Sequence, residues 1–80
     1  MLTKYIQAAM LHAHYEILPD DGSVYGEIPS VQGVWANADT VEACRDELQE
    51  VLEDWLLLGF RRQITLPVID GIDLNARAVA

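Results

Sequence analysis

His12, His14 and Glu16 stand at alternate positions, and on an extended strand two imidazoles and a carboxylate so spaced share one face and are competent to hold zinc or another transition metal. The plainer account is the wet side of a sheet whose other face is apolar. It is preferred, because neighbours on one strand supply only part of a shell and no fourth ligand is marked. Four aspartates, Asp20, Asp21, Asp70 and Asp73, raise magnesium-dependent phosphoryl chemistry, which needs carboxylates fixed around ions about 4 Å apart. All four sit in turn-like sequence. Asp20 and Asp21 are accounted for by a hairpin and Asp70 by its neighbour Gly71. For nucleophilic catalysis, Cys44 or Ser23 would need an imidazole to activate it; Cys44 reads more simply as a small buried hydrophobe and Ser23 as a residue following a turn. Gly22, Gly26 and Gly33 are too far apart to cradle a phosphate. No catalytic residue, metal site or cofactor is therefore expected.

A different kind of chemistry is carried by Glu42, Asp46, Glu50, Glu53 and Asp54, with Glu47 beside them. At helical spacing they lie opposite an apolar stripe and form an acidic field interrupted only by Arg45. Such a face keeps a small protein soluble, and it also suits a basic macromolecular partner. Trp55 falls on the apolar stripe and is expected in the core. Trp35 and Tyr25 are candidates for a subunit interface, where aromatic residues are enriched.

The elements that position these residues follow from periodicity. Leu2, Ile6, Ala9 and Met10 recur at helical spacing, with Thr3 available as a cap, and predict a short amphipathic helix over Leu2–Leu11. From His12 the period changes to two, with Ala13, Tyr15 and Ile17 on the inner side. Pro19-Asp20-Asp21-Gly22 supplies a hairpin turn, and Ser23–Ile28 returns as a second strand, in which Gly26 marks a bulge or a close approach. Pro29 ends that strand. Val34–Ala36, between Gly33 and the Asn37-Ala38-Asp39 turn, is a third.

A long helix begins at Asp39 or Thr40, where Asp39 and Glu42 have capping-box spacing. Val41, Cys44, Leu48, Val51 or Leu52, Trp55 and Leu58 form its stripe. Gly59 allows it to stop, although Arg61 and Arg62 suit a last turn. Ile64, Leu66, Val68 and Ile69, interrupted by Pro67, predict a fourth edge strand before Gly71, Ile72 and Leu74. Residues 75–80 have no period and are expected to fray. The fold class is α+β in the order α-β-β-β-α-β: a three-stranded antiparallel meander, one long helix packed on it, and a single domain over residues 1–74.

Eighty residues bury a modest core, so a second copy is the cheapest additional cover and a homodimer or higher homo-oligomer is expected. Thirteen acidic against five basic residues give 5 − 13 = −8, which opposes direct nucleic-acid binding by this chain. One cysteine excludes an internal disulfide, and neither a secretory signal nor a long apolar run is present. A cytoplasmic, non-membrane protein is expected.

The order of Glu27, Ile28 and Pro29, then Gly33, Val34–Ala36, Asp39 and Thr40, and the helix Val41–Leu56 resembles the N-terminal domain of HicB-type antitoxins, and the likeness extends to His14–Tyr25. That resemblance implies a cut-down ribonuclease H-like fold without catalysis. It also implies a basic, HicA-like toxin ribonuclease as partner, neutralised by covering its catalytic histidine and RNA-contacting surface. The acidic helix face would then substitute for RNA phosphates. Many family members carry a C-terminal DNA-binding segment, for which there is no room after Leu74, so autoregulation by this chain is not expected. The alternative is a stand-alone oligomeric module for a small ligand or unrelated protein; the third is a divalent-metal nuclease of ribonuclease H-like type.

Overall fold

The computed structural model describes residues 1–75, and its elements run α1 (Leu2–Leu11), β1 (His14–Ile17), β2 (Val24–Glu27), β3 (Trp35–Ala38) and α2 (Val41–Arg62). The three strands form one antiparallel sheet in the order β1-β2-β3, so the α+β meander is present. In register, Tyr15 faces Gly26 and Gly26 faces Ala36, while Glu16 faces Tyr25 and Tyr25 faces Asn37. Alternation then places Tyr15, Val24, Gly26 and Ala36 beneath α2, and His14, Glu16, Tyr25, Glu27, Trp35 and Asn37 on the outer face. Ile17, expected on the inner side, lies at the end of an edge strand and is 69% exposed.

The hairpin turn closes as its sequence demands. Ser23 N–H donates to Asp21 Oδ1, Gly22 N–H donates to the Leu18 carbonyl, and Leu18 N–H to that of Ser23. The register through Gly26 is unbroken, so this glycine marks no bulge. Its role is clearance: a Cβ there would stand 2.9 Å from Cys44 Sγ and 3.0 Å from the Tyr15 ring. The loop after β2 is itself core, because Ile28, Val31 and Val34 are buried and bond through Val31 N–H to Ile28 O and Val34 N–H to Val31 O. β3 lies one residue later than Val34 suggested and runs two residues further. Asn37 belongs to the strand, and its side-chain amide donates to Ser23 Oγ and Val24 O.

Thr40, rather than Asp39, caps α2: Ala43 N–H donates to Thr40 Oγ1 at 3.1 Å. The helix buries Cys44, Leu48, Leu52 and Leu56, then Gly59. Steps of four rotate such a stripe by about 40° each, since a turn holds 3.6 residues. It consequently winds away from Leu58, which is exposed, as is Val41, while Trp55 is half-buried. Gly59 does not stop the helix. It gives room to Leu66, whose Cδ2 would lie 2.9 Å from a Cβ there. The end comes at Gln63, in the left-handed region at φ 53°, where Gln63 and Ile64 N–H donate to the Phe60 and Gly59 carbonyls.

α1 has the expected limits, and its inner face is rolled only partly from the expected row, since Ala9 is buried and Ile6 and Met10 pack against the core. Tyr5, Ala8 and Ala9 are buried, Leu2 is exposed, and no side chain, Thr3 included, caps its start. The expected fourth strand is absent among the described residues. Residues 64–68 form no ladder, and Ile69 pairs only with Ile72 across the Asp70-Gly71 turn. The reason is a substitute partner: Leu66 N–H donates to Asn75 Oδ1 at 2.6 Å while Asn75 Nδ2 donates to Leu66 O at 2.9 Å. Asn75, expected in a frayed tail, is instead held in place; the rest of that tail lies outside the described residues. Tyr5 Oη donates to Pro67 O at 2.7 Å and thereby ties α1 to this segment.

Candidate interaction surface

The candidate metal face does not assemble. The chain is still leaving α1 at His12, its C-cap residue, and His12 Nε2 lies 2.8 Å from Asp70 Oδ1, away from the strand. His14 and Glu16 remain on the outer sheet face without it. Among the described residues, no three His, Cys, Asp or Glu side chains come together as a metal shell, the four turn aspartates included. Asp21 accepts from Ser23, which holds its carboxyl below the ordinary range, and Asp73 accepts from Asn75 N–H. Each is thus engaged locally.

Cys44 is fully buried, with its thiol 3.6 Å from the Ala36 carbonyl that accepts from it. Burial, then the Glu47 carboxylate, pushes this thiol above its ordinary range, so it is a poor nucleophile at neutral pH. The neighbouring Tyr15 phenol is raised first by burial and then by Cys44, against an opposing effect of Arg45. Its hydroxyl is buried without a hydrogen-bond partner. No described histidine is bonded to Cys44 or Ser23.

On α2, Glu42, Asp46, Glu47, Glu50, Glu53 and Asp54 are all exposed. Glu42, Asp46, Glu50 and Asp54 succeed one another at intervals of four and so stack along the helix. Glu53 accepts from Gln49 Nε2, and among the described residues none of the six carboxylates has an ion-pair partner. Across the molecule, on the uncovered side of the sheet, Trp35 is 55% exposed and stacks on Tyr25 with ring centroids 6.1 Å apart. The Tyr25 hydroxyl is pushed above the ordinary phenol range by partial burial, then by Glu27 and Glu16. The acidic face and the aromatic pair therefore occupy different surfaces. What periodicity alone missed is a seam between α1 and α2, because that seam needs the pairing of two helices distant in sequence.

The model of one protein family, described as UPF0150-like, matches residues 4–67, which include every helix and strand above except the first two residues of α1. The chain belongs to the UPF0150-like family. No curated protein matches it. Among solved structures it is similar to TTHA0281 from Thermus thermophilus, at 39% identity over 96% of this chain and 95% of that one, with a TM-score of 0.88. The sheet, both helices and their order are thus a shared framework. Among the described residues of this UPF0150-like chain, no helix is long and apolar enough to cross a membrane.

Proposed function

We propose that this UPF0150-like protein is a HicB-like antitoxin, or an orphan relative of one, that neutralises a small basic toxin ribonuclease by protein contact and without catalysis. The observation that carries this reading is the ladder Glu42, Asp46, Glu50 and Asp54, exposed and without an ion-pair partner among the described residues, with Arg45 alone interrupting the field. Like charges four apart on a helix destabilise it by about 0.2–0.5 kcal/mol a pair, and a face needed only for solubility is better made by interleaving lysine and glutamate. A standing cost of this kind fits a surface kept for a cationic partner. Its evenly spaced carboxylates can take the place of RNA phosphates on a ribonuclease and accelerate encounter at low salt.

The test is RNA cleavage by a purified HicA-like toxin, ideally the product of a neighbouring gene, with this protein added. Stoichiometric inhibition that weakens with salt and is lost in Asp46→Lys is expected. Undiminished cleavage at a several-fold excess of the folded protein would sink the reading. The exposed Trp35–Tyr25 stack favours, in addition, a homodimer formed over the bare sheet face. Sedimentation at micromolar concentration checks this, with a dimer expected for the native chain and a monomer for Trp35→Ala.

A further inference from the structure

α1 carries an apolar row, Leu2, Ile6 and Met10, at intervals of four; the helix buries Tyr5, Ala8 and Ala9, while Ile6 and Met10 pack only partly against the core and Leu2 is exposed. This row lines the seam between α1 and α2. At one end a hollow of about 340 Å³ is lined by Leu2 and Ile6 from α1 and by Leu57 and Phe60 from α2, with Glu53 and Asp54 at its margin. At the other a hollow of about 640 Å³ is lined by Ile6 and Met10, with Asp46 and Glu53 on the α2 side beside Gln49 and a single cation, Arg45. Ile6 and Glu53 border both, so the two hollows adjoin and follow one another as a groove along α1, whose ten residues span about 15 Å.

The geometry points to this groove as the docking site for a basic amphipathic helix of a partner protein, two to three turns long. Its apolar side would lie on Leu2, Ile6 and Leu57 and its lysines or arginines against Asp46, Glu53 and Asp54. A helix laid in a groove is read through apolar anchors three and four residues apart, and the row on α1 repeats with that spacing. Charge selects the occupant. A second copy laid with its α2 on this groove would set carboxylate against carboxylate, while its α1 offers Lys4 as its one cation, and an anionic lipid surface is opposed by the chain's −8. This inference rests on the antitoxin reading and adds which part of the acidic helix is used and which partner element it receives.

The probe is a fluorescein-labelled synthetic helix of about fifteen residues, with leucines at helical spacing flanked by lysine and arginine, compared with a peptide of equal composition whose leucines are scattered. Fluorescence anisotropy is expected to show saturable binding of the patterned peptide, about tenfold tighter than the scattered one. Leu2→Ser with Leu57→Ser should weaken it by about tenfold, since both side chains are surface-accessible and only apolar contact is lost. Glu53→Lys with Asp54→Lys should weaken it similarly and flatten its salt dependence. Circular dichroism confirms that each variant is folded. Equal binding of both peptides, or native affinity in the Leu2/Leu57 variant, overturns the proposal in favour of diffuse charge attraction. A self-association abolished by that same variant overturns it in favour of a second copy. If the groove variants still inhibit the toxin as the native protein does, the groove falls while the antitoxin reading stands; if the patterned peptide binds but no toxin is inhibited, the reverse holds.

Discussion

Gly26 shows how a single position ties the sheet to the helix. Its missing side chain lets Cys44 and Tyr15 meet over β2, and a methyl group there would press on both, at 2.9 and 3.0 Å. Gly26→Ala is expected to lose about 1–3 kcal/mol in urea unfolding, as overpacked cores do. Cys44→Ala in the same chain should recover part of that loss, because one of the two obstructing groups is gone. Cys44 and Tyr15 also make an alkaline weak point. Both are held neutral by burial, so their folded pKa values lie above the unfolded ones. Stability is then complete below the thiol range and falls as pH rises through about 8.5 and beyond. Tyr15→Phe removes a buried hydroxyl that has no partner, and it should raise stability by about 1 kcal/mol and blunt the alkaline fall, measured by urea titration across pH. The hydrophobic pattern made Cys44 legible as core. It left Tyr5 unseen, because tyrosine occurs as readily at surfaces as inside, and only the Pro67 carbonyl explains its burial.

The elements were legible to the degree that local physics decides them. α1 has the limits its period predicts, and the hairpin turn closes on Asp21 and Gly22 as their chemistry requires. The misreadings share a cause, which is partners far away in sequence. Gly59 looks like a helix terminator and is a clearance for Leu66, while the hydrophobic run 64–69 looks like a strand because the Asn75 side chain that replaces a strand partner cannot be inferred from periodicity. The acidic residues of α2 are exposed as their spacing implies, but the groove beside them depended on how α1 rolls onto the core. At this scale a trade is expected on α2. Asp46→Lys converts two like-charge neighbours, Glu42 and Glu50, into attractive ones, and should stabilise the fold by about 0.5–1 kcal/mol at low salt. Thermal unfolding at low and high salt checks this, the gain shrinking as ions screen it. The same change should impair partner binding, so stability and binding would move in opposite directions.

For the whole molecule, the two-layer arrangement leaves one sheet face bare and places the acidic helix and the aromatic pair on opposite sides. Under the function proposed above, one side would engage a basic partner while the other would pair with a copy. The layers are closed by a segment that secures α1 from outside the sheet: Tyr5 with Pro67 and His12 with Asp70, pairs separated by 62 and 58 positions. Tyr5→Phe leaves the Pro67 carbonyl without its donor and should cost about 1 kcal/mol, with faster amide exchange in α1 than in α2. α1 is secured only when residues some sixty positions later are in place. A chain nicked between the two is therefore expected to lose α1 from the core and to expose it to proteases, so the contacts at Pro67 and Asp70 act as a latch on the opposite end of the sequence.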